Sequence, residues 1–504
     1  MSGYSDAFKQ EVELSLSRRH FCGLIASTGA LGFCGGCAVN PATGKEDLIL
    51  VGAGDEKAIG LREHPKILAQ FGGVYDDPSV TGYVASIGGR LAAATETPGL
   101  GFTFTLLNSP VVNAFALPGG YVYITRGLMA LAQNEAELAG VLGHEIGHVS
   151  ARHSAQRMSQ TMLAQLGVGL LGAIVGGQSS QLAGGVAGLY LKSYSRDQEF
   201  EADMLGVRYM NRAGYDARAM ASFLRGLRAN SRLDAKIEGR PPGDIDAFDI
   251  GATHPRTIER VQRAVANSGK GRAGGKRQGR DDYLNTLDGM IFGDGPDQGY
   301  VLGQRFAHPK LRFEFTVPPG FALRNKLDRL TAASRKKGAT IVFDAAPKPF
   351  QGSMAAYLSN VWARGARVQQ LERITVNGMP AATGWVRGSG PKGPLAFRLI
   401  AIRFNARAIY RFLFAAPPSV MPSLSTAFQR TTYSFRRLTP AQVEDLKPRT
   451  LAIVEADSGD SSERLVQRMA FDAYRRERFN VLNGLEGSTP PKSGSRLKLV
   501  VRSG

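Results

Sequence analysis

The chain contains 504 residues, of which 43% are hydrophobic and 21% are charged. This length predicts about two to four domains. The composition is typical of folded protein and excludes a disordered chain or a multi-span membrane protein. The net charge of +19 arises partly from loops such as 270–280, and no zinc finger, basic zipper or RNA-binding strand accompanies it. We therefore expect no nucleic-acid partner, although a basic surface can face anionic lipid or cell-wall polymer.

The N-terminal region has the features of an export segment. All three cysteines lie in it, at Cys22, Cys34 and Cys37. A paired arginine precedes an apolar stretch too short to span a bilayer, an arrangement that resembles a twin-arginine signal. Cys34-Gly-Gly-Cys37 resembles a lipoprotein cleavage site, with Cys34 in place of the usual aliphatic residue. We predict a signal peptide over 1–37 and lipidation at Cys37. The lipid would hold the chain in the bacterial periplasm, with the outer membrane favoured over the inner. A cleaved signal peptide without a lipid is the alternative.

The segment 38–265 begins with helical and strand patterns in turn. Glu46–Arg90 is mostly helical in pattern, whereas Gly101–Leu107 alternates as a strand does. Val111–Phe115 and Tyr121–Thr125 flank a Pro-Gly-Gly turn. Two short apolar runs around such a turn predict a β-hairpin.

Two helices with strong N-terminal signals follow the hairpin. Asn134 opens the first, with Glu137 at capping-box spacing, and its helical pattern continues to about Arg157. Ser195 opens the second, with Gln198 at the same spacing.

The C-terminal half changes in composition. The residues after 265 are rich in Gly, Ser, Lys and Arg, which predicts a linker over 266–305. Strand and helix patterns alternate over 306–438 and predict an α+β module, to which we assign no function. In the tail, 446–503, Thr450–Glu455 and Arg496–Val501 are predicted strands around two short helices.

A metal-binding pattern lies within the first of the two capped helices. The sequence His144-Glu145-Ile-Gly-His148 spaces two histidines four residues apart, so a helix places both imidazoles on one face. Neutral imidazoles bind zinc well, and three protein ligands leave the open position that catalysis needs. Glu145 lies beside that face and can reach a water rather than the metal. Surface histidines on an amphipathic helix are the alternative, which the apolar neighbours of the motif disfavour.

The second capped helix offers a third ligand. Glu199 and Asp203 lie four residues apart on one face near its N-terminus, where a carboxylate stays ionised. Glu199 is the candidate ligand, and Asp203 can accept a hydrogen bond from the second nitrogen of a ligand histidine. Glu201 points elsewhere. Ordinary acidic residues on a solvated helix N-terminus are the alternative.

Further motifs accompany these residues in a fixed order. They are Asn113–Phe115, Pro118–Gly120, His144–His148, Ala151–His153, Glu199–Asp203, Ala213–Asp216 and His254-Pro255 with Arg260. Together they make residues 40–266 resemble the membrane-associated zinc metallopeptidases that include HtpX, BepA and the CAAX prenyl endopeptidases. The resemblance implies one zinc ion per chain, with Glu199 as the third ligand.

The same resemblance implies roles outside the ligand set. Asn113, Ala114 and Phe115 are implied to form an edge strand to which an extended peptide adds by main-chain pairing. His254 is implied to approach the metal in a closed, self-inhibited state, and Arg260 to help bind the oxyanion of the reaction; a simple helix start at His254-Pro255 is the alternative. For His153 we expect a packing or capping role.

The tail resembles a degenerate LysM domain. The matching pieces are Asp457–Asp460, Phe479–Leu485 and Ser493–Leu497, within a strand–helix–helix–strand order. LysM domains bind N-acetylglucosamine polymers, so the resemblance implies peptidoglycan as a partner. A packing domain that has lost sugar binding is the alternative.

These features predict an α+β protein: a mainly helical zincin-type peptidase domain over 38–265 with a small sheet, then the α+β module and the LysM-like domain. The predicted function is a zinc metalloendopeptidase that acts on misfolded or misassembled envelope proteins, with Glu145 as general base. Two alternatives remain open. One is an autoinhibited chaperone or scaffold on the same fold, and the other is a zinc hydrolase that cleaves peptidoglycan.

Overall fold

The computed structural model describes residues 37–163, 194–240, 260, 263, 266, 277–326, 328–390, 393–487 and 491–502. The described chain combines a helical region with separate β-sheets, which confirms the predicted α+β class. The predicted signal segment before Cys37 lies outside the described residues, and so does His254. Among the described residues, no helix has both the length and the apolar character needed to cross a bilayer.

The N-terminal part surrounds a small sheet with helices. Its elements are β1 Cys37–Val39, β2 Glu46–Leu48, α1 Ala53–Gln70, α2 Pro78–Ala92, β3 Thr103–Leu107, β4 Ala114–Leu117, β5 Tyr121–Thr125, α3 Arg126–Leu131, α4 Glu135–Ser150, α5 153–163, α6 Arg196–Arg212 and α7 Arg218–Ile237. The strand order is β3-β5-β4. β5 runs parallel to β3 and antiparallel to β4, so the predicted hairpin is present and β4 forms one edge of the sheet.

The helix that carries the two histidines is shorter than predicted. Asn134 caps it, and its side chain accepts a hydrogen bond from the Glu137 N–H at 2.9 Å. It ends at Ser150 instead of continuing to about Arg157. Arg152 has a φ of 56°, in the left-handed region, and a new helix begins at His153. The sequence contains no glycine or proline here, so the usual signal for a helix end is missing.

The second capped helix matches its prediction closely. Ser195 caps α6 with the predicted capping box, in which the Gln198 side chain bonds back to the Ser195 N–H. Glu199 and Asp203 both lie on its buried side, with 1% and 2% of their surface exposed.

The middle of the chain is a β-rich module. Its elements are α8 Arg280–Leu287, β6 Ile291–Phe292, β7 Tyr300–Leu302, β8 Arg305–His308, β9 Phe313–Thr316, β10 Ala322–Asn325, β11 Leu330–Ser334, β12 Ala339–Ala345, α9 Met354–Tyr357, β13 Gln369–Val376, β14 Met379–Gly390, β15 Gly393–Arg403, β16 Ile409–Ala416, α10 Met421–Ser434, β17 Arg436–Arg437 and α11 Pro440–Glu444. A seven-stranded antiparallel sheet has the order β10-β11-β12-β16-β15-β14-β13. Apolar clusters cover both of its faces, so this module has its own core.

The predicted linker over 266–305 is wrong for its second half. Residues 280–287 form α8, which buries Tyr283, Leu284 and Leu287. The following strand β6 is tied to α3, because the buried Arg126 donates to the carbonyl oxygens of Ile291 at 2.6 Å and Gly293 at 2.8 Å. The Gly- and Lys-rich composition that suggested a linker ends before this point, and the apolar side chains after it pack into the core.

The C-terminal tail has the predicted element order. Its elements are β18 Arg449–Glu455, α12 Ser462–Gln467, α13 Arg475–Asn483 and β19 Arg496–Arg502, and β18 pairs antiparallel with β19. Its apolar side chains belong to the same cluster as those of α3 and α4. The tail therefore shares the core of the N-terminal part instead of forming a separate core.

Lys498 joins the tail to the segment just before α4. This side chain is fully buried, and its Nζ donates to the carbonyl oxygens of Ala130 at 2.7 Å, Leu131 at 3.4 Å and Ala132 at 2.8 Å. These carbonyls end α3, where the helix dipole favours a cation. Burial lowers the pKa of Lys498 to about 7. The tail thus fixes the chain immediately before the helix that bears the two histidines.

The lowered pKa of Lys498 predicts a pH-dependent stability. Between about pH 7 and the ordinary lysine pKa of about 10.4, the unfolded chain binds a proton that the folded chain has released, so raising the pH stabilises the fold. We expect the free energy of unfolding of the wild type to rise, relative to Lys498→Met, by up to about 1.4 kcal/mol per pH unit in this range. Denaturant unfolding between about pH 7 and about pH 9 measures this difference. Lys492→Met, which changes an exposed lysine of the same tail, should leave the pH dependence of the free energy of unfolding unaltered. If Lys498→Met and the wild type showed the same pH dependence, the lowered pKa of Lys498 would be contradicted.

Candidate metal centre

Small residues allow α4 and α6 to cross at close range. A Cβ atom built on Gly147 would lie 3.0 Å from the carbonyl oxygen of Ala202, and one on Gly143 would lie 3.2 Å from that of Gly206. Any side chain at these positions would push the two helices apart. The close crossing brings the N-terminal turns of α6 against the histidine face of α4.

The crossing places three potential ligands together. One ligand atom from each of His144, His148 and Glu199 lies within 4.8 Å of the other two. The two Nε2 atoms are 3.1 Å apart, and the carboxylate oxygens of Glu199 lie 3.6 Å from Nε2 of His144 and 3.5 Å from Nε2 of His148. All three side chains are buried, so they face one another and not solvent.

The arrangement fits a zinc ion. Zinc bonds of about 2.0–2.2 Å at tetrahedral angles separate neighbouring ligand atoms by about 3.3–3.5 Å. The observed separations are close to this range: 3.1 Å between the two Nε2 atoms, and 3.5 and 3.6 Å from each Nε2 to a different carboxylate oxygen of Glu199. Burial lowers the pKa of His148 well below its usual value, so its ring is neutral and offers a lone pair. Two imidazoles and one carboxylate are also a ligand set that zinc prefers in catalytic sites.

A carboxylate and an arginine orient His144. The Oδ1 atom of Asp203 lies 2.8 Å from Nδ1 of His144, which leaves Nε2 for the metal. Arg260 binds Asp203 through two hydrogen bonds of 2.7 and 2.8 Å, and its Nη1 lies 2.5 Å from Oε2 of Glu199. Burial raises the pKa of Asp203, but the charge and hydrogen bonds of Arg260 and the bond from His144 outweigh burial, and the pKa is lowered. Asp203 therefore stays an acceptor at neutral pH.

Glu145 lies at the edge of an apolar pocket beside the ligands. It is buried and lines this pocket together with His144, Asp203 and Arg260. The apolar wall consists of Val112, Leu128, Met220, Phe223, Leu224 and Leu227. Asn113 and Ala114 line the same pocket, so the edge strand β4, the pocket and Glu145 adjoin one another.

Three residues at the site, His153, Glu201 and Tyr194, were not predicted to contribute to it. The Nδ1 atom of His153 lies 2.8 Å from Nδ1 of His148, and its Nε2 lies 3.2 Å from Oε2 of Glu201. Tyr194 stacks on the His148 ring with 3.8 Å between ring centroids and 15° between planes. A histidine five residues after His148 does not share its face on a continuous helix, so only the turn at Arg152 reveals this contact.

The structure thus brings most of the predicted residues into one place. His144, Glu145, His148, Glu199 and Asp203 converge at the helix crossing. Arg260 joins them, where it contacts the two acidic side chains of α6 and lines the pocket beside Glu145; its role in binding an oxyanion stays a prediction. The predicted edge strand of Asn113, Ala114 and Phe115 corresponds to β4 and the residue before it.

Comparison with known proteins identifies a family for this part of the chain. Residues 78–268 match Peptidase family M48. The matched segment includes the helices α4, α6 and α7, the edge strand and Arg260.

Curated relatives match part of the chain. The β-barrel assembly-enhancing protease of Yersinia pestis is 38% identical over 200 residues, which are 37% of this chain and 39% of that protein. The protein of the same name in Escherichia coli K12 is 33% identical over 300 residues, 57% of each chain. The mitochondrial metalloendopeptidase OMA1 of Schizosaccharomyces pombe is 31% identical over 215 residues, 41% of this chain and 59% of that protein. The chain therefore spans about half the length of the curated relatives it matches.

The close helix crossing makes Gly147 a sensitive position. In Gly147→Ala the new methyl group must displace Ala202, which moves Glu199 relative to the two histidines. We expect a zinc affinity at least about tenfold weaker, by analogy with other changes that disturb the setting of metal ligands. Zinc titration in competition with a chelator measures this change.

Gly226→Ala is the matched control. Gly226 lies within α7, and a Cβ atom there would meet nothing within 4 Å. This change should stabilise the helix slightly and leave the zinc affinity unaltered. Equal zinc affinities in both variants would show that the crossing distance does not set the geometry of the site.

Proposed function

We propose that the chain hydrolyses polypeptides as a zinc metalloendopeptidase of peptidase family M48, the family that residues 78–268 match. The observation that carries this proposal is the convergence of His144, His148 and Glu199 at the spacing of tetrahedral zinc ligands. In this proposal the three side chains hold one zinc ion, and Glu145 is the general base. Arg260 and Asp203 hold the ligands in place.

The sheet edge provides a binding surface for an extended substrate. Among the described strands, β4 pairs with β5 alone, so its other edge can add the backbone of a polypeptide. Main-chain pairing binds many sequences, because it makes no use of side chains. The apolar pocket next to β4 then receives an aliphatic or aromatic side chain of the substrate. Exposed apolar side chains in an extended segment are a property of unfolded protein.

The residues around the pocket have different roles in the hydrolysis. When bound, zinc supplies a Lewis acid that activates water and polarises the scissile carbonyl group. Glu145 removes a proton from the attacking water and returns it to the leaving amine. The apolar wall excludes other water from the scissile bond. Since Arg260 is engaged with Asp203 and Glu199, it serves here to fix these carboxylates, and it lowers the pKa of Asp203 against the opposing effect of burial.

We propose misfolded or misassembled envelope proteins as the substrates. Two of the relatives are named for the enhancement of β-barrel assembly. The segment that matches the family includes the edge strand and the pocket. Strands of an unassembled barrel have open edges and alternating apolar residues, the two features that β4 and its pocket can bind.

We further propose that Cys37 carries a lipid anchor that holds the chain at a membrane of the bacterial periplasm. Cys37 begins β1, and its backbone pairs with that of Leu48 in β2. Val39, Leu48 and Leu50 are exposed, at 60%, 42% and 40% of their surface. The register of the β1–β2 ribbon places Val39 and Leu48 on one face. These exposed apolar side chains next to the anchor support contact with lipid, and Glu46, which pairs with Val39, shares their face.

The base assignment is tested with Glu145→Gln. We expect cleavage of a chemically unfolded protein to fall by about 10²–10⁴-fold, because the amide cannot accept the proton of the attacking water. Zinc content measured by elemental analysis should stay at one ion per chain, since Glu145 is not a ligand. Asp197→Asn, which removes an exposed carboxylate of α6, should cleave as the wild type does.

Other outcomes separate the alternatives. Equal cleavage by Glu145→Gln and wild type would contradict the base assignment. Zinc-loaded wild type that protects unfolded protein without cutting it would favour a chaperone. Cleavage of purified peptidoglycan instead of polypeptide would favour a cell-wall hydrolase, and binding of peptidoglycan without cleavage would support a sugar-binding role for the tail.

The anchor is tested with Cys37→Ser. We expect this variant to lose the lipid mass and to move from the membrane fraction to the soluble periplasmic fraction, because a serine cannot be acylated in this way. Cys22→Ser, which changes a cysteine outside the cleavage site, is the matched control and should stay with the membrane. Membrane attachment of Cys37→Ser at the wild-type level would contradict the proposed anchor.

A further inference from the structure

The turn after α4 brings a second imidazole against the metal ligand His148. α4 ends at Ser150, and Arg152 adopts a φ of 56°, a backbone conformation that non-glycine residues rarely take. The Arg152 side chain fixes this turn, because Nη2 donates to the carbonyl oxygen of Val51 at 2.7 Å and Nε to Glu56 at 3.2 Å. The strained turn has one geometric result: His153 faces the imidazole of His148. A strained conformation that is held in this way often has a functional reason.

His153 connects His148 to a carboxylate. The Nδ1 atoms of the two rings are 2.8 Å apart, and Nε2 of His153 lies 3.2 Å from Oε2 of Glu201. Both rings are buried, at 1% and 0% exposure. Glu201 lies two residues after Glu199, so it projects from a different side of α6. The interposed imidazole spans the distance between Glu201 and the ligand ring.

The chemistry of neutral imidazole assigns each proton in this chain. A neutral ring has one N–H and one bare nitrogen, and the Nδ1···Nδ1 contact requires one donor and one acceptor. Since Nε2 of His148 must be bare to bind a metal, its proton lies on Nδ1 and is donated to His153. His153 then holds its own proton on Nε2 and donates it to Glu201, which as a carboxylate only accepts. Every atom in the chain has one consistent role.

We propose that His153 and Glu201 are positioning residues that set the tautomer and orientation of His148 for zinc. This inference rests on the zinc site of the proposed function. Tyr194 supports it independently, because its ring stacks on His148 at 3.8 Å and its hydroxyl bonds Ser154 at 3.0 Å. The stacked ring fixes the plane of His148, and His153 fixes its direction within that plane.

The two ligand histidines are therefore held by different means. His144 bonds a carboxylate directly, whereas His148 reaches its carboxylate through His153. Hydrogen-bond partners of this kind raise the basicity of a zinc-bound imidazole and hold its orientation, and their loss weakens metal binding by about 10–100-fold.

The test measures zinc affinity in the full chain, with zinc alone in competition with a chelator. His153→Leu removes the acceptor for His148, and we expect a zinc affinity about 10–100-fold weaker. His153→Asn keeps an oxygen near the position of Nδ1, so it should recover most of the loss. Gln160→Leu, an exposed change on the same helix, should bind zinc as the wild type does. Thermal unfolding of the zinc-free proteins separates a change in binding from a change in folding.

Glu201 variants test the same chain from its other end. Glu201→Leu removes the acceptor for His153 and should weaken zinc binding, whereas Glu201→Gln keeps an acceptor oxygen and should bind nearly as tightly as the wild type. The loss caused by Glu201→Leu should vanish in the His153→Leu background, because both changes break one chain.

The possible results distinguish this inference from the peptidase proposal. Wild-type zinc affinity in a folded His153→Leu or Glu201→Leu protein would overturn the positioning role and leave the peptidase proposal intact. The expected ranking of affinities in a protein that cleaves no polypeptide would support the positioning role and contradict the peptidase proposal. A wild type that binds no zinc would overturn both.

Discussion

The metal centre depends on how closely two helices approach each other. Gly143 and Gly147 on α4 meet Ala202 and Gly206 on α6, and the absence of side-chain bulk at this crossing brings Glu199 within about 3.6 Å of both histidines. Larger residues at these positions would force the two helices apart. The fourth residue of the metal motif, Gly147, therefore contributes to metal geometry without touching a metal.

Charge is the second constraint on this site. Among the described residues, Glu145, Glu199 and Asp203 are buried around Arg260, which is buried as well. When all four are ionised, they leave an excess of two negative charges in a region with little water. Such an excess is costly to bury, and a divalent cation offsets it. The net negative charge of these side chains thus favours a doubly charged ion, independently of the ligand geometry.

The sequence predicted those parts of the site that follow from helical periodicity. His144 and His148, and likewise Glu199 and Asp203, are four residues apart on capped helices, so their faces could be inferred. His153 could not be placed, because the left-handed turn at Arg152 has no glycine to signal it. The fold was predictable at the level of elements, including the order in the tail. The sequence did not predict that the tail shares one core with the N-terminal part, since that contact joins segments far apart in the chain.

The bonds of Lys498 have a consequence for the order of assembly. This ammonium group meets the carbonyl groups at the end of α3 across 366 to 368 residues of intervening chain. Contacts between such distant residues form late, because the loop between them must first be closed. A ribosome-bound chain that stops short of β19 lacks the cation that these carbonyls bind. The helix of the two histidines therefore acquires its final N-terminal support only after synthesis has passed β19, so that a shorter nascent chain has an incompletely formed cleft.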